Sequence, residues 1–152
     1  MNVVPLPAPR QVLDLMAVEP VVVRADASLA TAATLMEVHQ ISGLPVVDTA
    51  GTLVGVISES DLLRARATEY LWANWSGLRV KHLMTSPALT IHRDQPLSIA
   101  ARKMERHHVS RLVVVADDDE TIPIGVLSVS DLVRAMSALA GEDLPARGAP
   151  EA

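Results

Sequence analysis

The sequence predicts an α+β fold built from two β-α-β-β-α copies packed sheet to sheet. Three observations carry this expectation: the chain repeats itself, each copy alternates short apolar runs with helical spacing, and one copy alone is too small. Displacing the sequence by 68 positions pairs Val12 with Val80, Leu15 with Leu83, Met16 with Met84 and Asp26 with Asp94. The pairing continues through Leu29/Leu97, Ala32/Ala100, Met36/Met104 and Leu44/Leu112, giving 14 identities over positions 12–47, far above chance. A displacement of 70 then pairs Gly55-Val56, Ser58, Ser60, Asp61, Leu62 and Arg64 with Gly125-Val126, Ser128, Ser130, Asp131, Leu132 and Arg134. The two extra residues fall in the acidic run Asp117-Asp118-Asp119-Glu120. Identity at a fixed spacing marks a duplicated structural unit. A unit of about 55 residues buries too little surface to be stable alone, so the copies are expected to share a core.

Each copy is read in the same order. A short lead-in (12–16, 80–84) precedes an apolar run, Val21-Val22-Val23 or Ala88-Leu89-Thr90-Ile91, with strand composition. A helix follows at about 28–40 and 96–108, where Leu29, Ala32, Ala33, Met36 and Leu97, Ala100, Ala101, Met104 keep the spacing of one buried face. Pro96 suits a first helical turn, where its missing N–H is not needed. Next come a strand (44–47, 112–115), a turn, a strand (53–57, 124–127) and a second helix (59–68, 129–140). Repeat one is therefore set at 11–68 and repeat two at 80–140, joined by 69–79, with flexible tails at 1–10 and 141–152.

Composition excludes several classes. A net charge of −5 argues against a nucleic-acid partner held by a basic face. Without cysteine there is no disulfide scaffold, thiol nucleophile or Cys-ligated metal. Two Trp, one Tyr and no Phe make no stacking platform. No apolar run approaches the roughly 20 residues of a bilayer span, and Pro5, Pro7 and Pro9 interrupt the N-terminus, which lacks the pattern of a leader. A cytoplasmic protein without a membrane partner is expected.

The candidate site is the junction Gly55-Val56-Ile57-Ser58-Glu59-Ser60-Asp61-Leu62 and its twin Gly125-Val126-Leu127-Ser128-Val129-Ser130-Asp131-Leu132. A strand ends and a helix begins there. Ser-x-x-Asp is a capping pattern in which each side chain bonds the other residue's backbone N–H. The same geometry offers helix amides and a hydroxyl to a phosphate, and a carboxylate that accepts two hydrogen bonds suits a ribose diol. Both roles are compatible.

These motifs, together with Ser42-Gly43-Leu44-Pro45-Val46-Val47-Asp48 and the repeated Asp-x-x-Leu-x-x-Ala, make the chain resemble a tandem cystathionine-β-synthase (CBS) domain pair over about residues 11–140. The resemblance implies a compact module with pseudo-twofold symmetry, two clefts and a homodimer. It also implies a regulatory, signal-transducing role through an adenosine-containing ligand such as AMP, ADP, ATP, S-adenosylmethionine or NAD. Carried onto this chain, Asp61 and Asp131 hold ribose, and Ser58 and Ser128 lie beside phosphate. Ile41, Gly43, Leu44 and Pro45 border adenine in one copy, and Val109, Leu112 and Val113 in the other. Arg111 stands where such proteins often place a phosphate-reaching base, whereas repeat one has Gly43, and Val113 replaces Pro45. One good cleft, not two equal ones, is expected.

The remaining motifs have plainer readings. His39, His107 and His108 suit helix C-termini through the dipole, with a phosphate contact open to the last two. No His/carboxylate cluster has metal-ligand spacing, and the acidic run lacks a calcium loop's periodic ligands. No P-loop, Gly-x-Ser-x-Gly, His-Glu-x-x-His or Gly-x-Gly-x-x-Gly pattern occurs, so no enzyme and no catalytic cofactor is expected. Trp72 and Trp75 in the connecting segment leave open an alternative, a dimerisation or docking module with vestigial clefts and an unidentified protein partner.

Overall fold

The computed structural model describes residues 9–67 and 75–143. A 3-10 turn at Val12–Asp14 leads into β1 (Ala17–Val18), β2 (Val23–Arg24), α1 (Leu29–His39), β3 (Gly43–Val47), β4 (Leu53–Ser58) and α2 (Glu59–Ala67). After a second 3-10 turn at Trp75–Gly77 come α3 (Val80–Leu83), β5 (Thr90–His92), α4 (Leu97–His107), β6 (Arg111–Val115), β7 (Pro123–Ser128) and α5 (Val129–Asp143). The fold is mixed α+β, as the duplication predicts. The final helix runs three residues past the expected end of repeat two at 140, Gly141 being carried inside it. Trp72 lies outside the described residues.

Local chemistry fixes the helix ends. The Ser28 Oγ accepts from Thr31 N–H and starts α1, while Pro96 occupies the same boundary of α4 without a side-chain bond. Both helices end on a left-handed residue, Gln40 and His108, each at φ 54°. The next amide then turns back, Ile41 N to Met36 O at 3.0 Å and Val109 N to Met104 O at 3.1 Å, satisfying carbonyls the helix leaves unpaired. Leu29, Ala32 and Met36 are buried as their spacing predicts, as are Ala100 and Met104. Ala101 is exposed, because it sits at the edge of the apolar stripe. The run Val21-Val22-Val23 pairs only at Val23–Arg24, where β3 lies alongside with Val46 and Val47.

The strands form two sheets, β2-β3-β4 and β1-β7-β6-β5. In each, a parallel pair (β2/β3, β5/β6) adjoins an antiparallel hairpin (β3/β4, β6/β7). The lead-in segments cross between repeats. β1 pairs with β7 of repeat two, and Thr85 makes the corresponding bridge to Val56 of repeat one. Val12 N–H donates to Gln95 O, and Val80 N–H to Ala27 O, both at 2.9 Å. Thus Val12 completes the core of Ile91, Ala100, Met104, Leu112, Val114 and Leu127, while Val80 completes that of Val23, Leu29, Ala32, Met36, Leu44, Val46 and Ile57. The crossings also explain the repeated motif glycine. A Cβ at Gly55 would stand 2.7 Å from Thr85 O, and one at Gly125 2.7 Å from Ala17 O.

The acidic run is exposed, and its ends are tied back to the end of β5 and the residue after it, Glu120 to His92 at 2.9 Å and Asp117 to Arg93 at 2.8 Å. Thr121 O then accepts from Leu53 N–H at 2.7 Å, joining the hairpins of the two repeats.

Because each core holds a residue from the other repeat, the repeats should unfold in one transition. Val80→Ala should cost about 1–3 kcal/mol through lost burial and a residual cavity. Amide hydrogen exchange should show equal loss of protection at Ile57 and Leu127. Loss confined to one repeat, or two separated melting transitions, would contradict the coupling of the two cores.

Candidate functional site

The strand-to-helix junctions position the two acids alike. In repeat one, Asp61 Oδ2 accepts from Ser58 N–H at 2.8 Å and from Ser58 Oγ at 3.0 Å, while Ser58 Oγ lies 3.2 Å from Asp61 N–H. In repeat two, Asp131 Oδ2 accepts from Ser128 N–H at 2.9 Å, and Ser128 Oγ accepts from Asp131 N–H at 3.1 Å. The reciprocal cap expected from Ser-x-x-Asp therefore forms twice. The first helical amide is also engaged, Glu59 N–H by Ser42 O at 2.9 Å and Val129 N–H by Ser110 O at 2.8 Å. The outer oxygens differ from the capped ones. Asp61 Oδ1 and Asp131 Oδ1 each meet an exposed arginine, Arg64 and Arg134, at 3.3 Å, long for a charge-assisted bond.

Asp61 is only 8% exposed, yet it borders a cavity of about 240 Å³. Repeat one contributes Val56, Ser58, Ser60, Asp61 and Arg64 to its lining. The rest comes from the chain leading into β5 (Thr85, Ala88, Leu89) and from the turn into β6 (His108, Val109, Ser110, Arg111). The site is thus composite: the acid comes from one repeat and the base from the other. By the repeat offsets, its counterpart would combine Ser128 and Asp131 with Gln40, Ile41, Ser42 and Gly43.

The two sides are not equivalent. Arg111 Nη2 donates to Ser42 Oγ at 2.6 Å, across the boundary between repeats. Its guanidinium lies over Gly43, where an added Cβ would stand 2.5 Å from Cζ and Nε. Arg111 is half-buried, and burial draws its pKa below the usual arginine range, while the charges of Asp61 and then Glu59 act in the opposite direction.

Of the residues singled out from sequence, Ser58, Asp61, His108, Val109 and Arg111 are brought together at one cavity. Ile41 lies elsewhere, in a second cavity of about 450 Å³ between the end of α1 and the start of α2. Leu44 and Leu112, expected with their neighbours to border adenine, have fully buried side chains in the two cores. Alternate strand residues face opposite sides, and the same phase that aims Arg111 outward turns Leu112 inward. Pro45 and Val113 are also fully buried. Sequence reasoning missed Thr85, Ala88, Leu89 and Ser110. Ser110 and Arg64 carried a signal, since each is identical to its partner in the other repeat, Ser42 and Arg134. Among the described residues, no group of three or more His, Cys, Asp or Glu is placed to hold a metal ion, and no helix is long and apolar enough to cross a membrane.

Comparison with known proteins agrees with this architecture. The CBS domain model matches residues 12–68 and 80–138. The crystal structure of the CBS domain pair of protein MJ0100, in complex with 5′-methylthioadenosine and S-adenosyl-L-methionine, is similar at a TM-score of 0.76 and 29% identity, covering 85% of this chain and 97% of that one. CBSX2 of Arabidopsis thaliana, solved in complex with AMP, is similar at a TM-score of 0.72 and 33% identity, covering 86% and 98%. Homoserine O-acetyltransferase of Methanococcoides burtonii is 34% identical over 123 residues, which are 81% of this chain but 23% of that protein. The chain spans about a quarter of the length of the curated relatives it matches first. Two matched copies in one chain, folded like these solved domain pairs, make it a member of the CBS domain family.

Proposed function

We propose that this chain is a regulatory module that binds an adenosine-containing ligand in the cleft between Asp61 of repeat one and Val109–Arg111 of repeat two. The observation that carries this reading is the meeting, at one cavity, of a nearly buried carboxylate and a half-buried guanidinium from different repeats. The Asp61 Oδ1 would accept from the ribose hydroxyls, exchanging a long contact with Arg64 for shorter ones. Arg111 would meet the phosphate, as arginine suits phosphate geometry. With the amides of Ser58, Glu59 and Asp61 already bonded within the protein, the phosphate grip would fall mainly to side chains. A cavity near the small end of ligand sites fits a mononucleoside better than a dinucleotide. The neighbours solved with AMP and with adenosyl ligands support the same ligand class. A ligand that touches both repeats favours one relative arrangement of them, which is how binding would be passed to a partner.

A second reading, association between copies, is favoured by apolar side chains left exposed on the second helix of each repeat. Leu63 is 71% exposed, and Val133 and Met136 are 57% and 66% exposed. A homodimer formed through these helices would cover them.

Two measurements test these readings. In calorimetric titration with AMP, Asp61→Ala should lose about 10- to 150-fold in affinity, the worth of a charged hydrogen bond. Asp131→Ala should leave AMP affinity near native, although both variants lose a helix cap worth roughly 0.5–2 kcal/mol of stability. Equal affinities for native protein and Asp61→Ala would reduce Asp61 to a cap. In sedimentation equilibrium, native protein should be dimeric at micromolar concentration and the Val133→Glu, Met136→Glu double variant monomeric. An unchanged mass would place any association elsewhere.

A further inference from the structure

The seat of Arg111 is borrowed from repeat one. Its guanidinium rests where Gly43 has no side chain, and one terminal nitrogen is tied to the Ser42 hydroxyl at 2.6 Å. Ser42 is exposed, and its carbonyl separately holds the first amide of α2. The hydroxyl is therefore a partner for Arg111 that the fold of repeat one does not use. A two-pronged grip on phosphate needs two N–H groups of one guanidinium edge. The Nη2 bond to Ser42 takes one of the five guanidinium N–H groups and seats the guanidinium over Gly43, so an anion beside Asp61 is left with whichever edge that seat keeps free.

We propose that Ser42 is a positioning residue that sets the discrimination between phosphorylated and unphosphorylated adenosyl ligands, by holding Arg111 in competition with the phosphate. The inference rests on the adenosyl reading of the Asp61 cleft. A phosphate draws Arg111 into its best-aligned contact by pulling the guanidinium off its Ser42 seat, whereas an uncharged nucleoside makes no demand on Arg111. The residue that tunes anion affinity thus belongs to the repeat opposite the arginine. Ser42 is the counterpart of Ser110, which lines the cleft itself.

The test is calorimetric titration of native protein, Ser42→Ala and Ser42→Thr with AMP and with adenosine, with melting temperatures recorded for each. Ser42→Ala keeps the carbonyl bond to α2 and should bind AMP about three- to tenfold more tightly, the span of one modest hydrogen bond. Adenosine affinity should not change, and Ser42→Thr, which retains a hydroxyl, should return AMP affinity to native. AMP bound by Ser42→Ala as weakly as by native protein, or more weakly, overturns the proposal, as does an equal gain for adenosine. Native protein that binds neither probe overturns the adenosyl reading and the proposal together. Native binding of AMP with no response at residue 42 overturns the proposal alone.

Discussion

The exchange of lead-in segments is the constraint from which the rest of the structure follows. Val12 lies in the core of repeat two and Val80 in that of repeat one, each without solvent exposure. Neither repeat can complete its apolar interior without chain from the other, so the two stay docked, in the placement described above. That placement brings the start of α2 against the turn into β6, and the cleft is the space left between them. A site assembled this way is sensitive to how the repeats sit. A rotation that leaves both cores intact would still change the separation of Asp61 and Arg111.

The Asp61 carboxylate closes a helix cap and borders a cavity with one side chain. Its inner oxygen closes the cap of α2, and its outer oxygen makes a long ion pair with Arg64. Asp131 repeats the cap with nearly the same distances. The larger asymmetry of the module therefore lies outside the Ser-x-x-Asp motif. It lies in the residue before the buried leucine, arginine in one repeat and glycine in the other. The arginine side chain lies where a side chain at position 43 would begin. One cleft has a base because the opposite position has no side chain at all.

Much of this was legible in the sequence. The internal identities fixed the repeat, the spacing of Leu29, Ala32 and Met36 located a buried helix face, and Ser58/Asp61 announced a cap that the structure contains. The crossing of the lead-ins was not legible. Val12 and Val80 are identical residues in equivalent places, so local pattern cannot say which core receives which. Nor could composition assign strand phase within Arg111-Leu112-Val113, where one apolar residue enters the core while its neighbour before it reaches across to Ser42. Thr85, Ala88 and Leu89 reach the cleft through tertiary packing, with no motif to mark them.

The most direct test of the central claim is a crystal structure of the protein grown with saturating AMP. The account predicts electron density in the cleft between repeats, with ribose hydroxyls within hydrogen-bond distance of Asp61 Oδ1 and the phosphate on Arg111. AMP seated away from Asp61 and Arg111, or a cleft without density at saturating AMP, would contradict it.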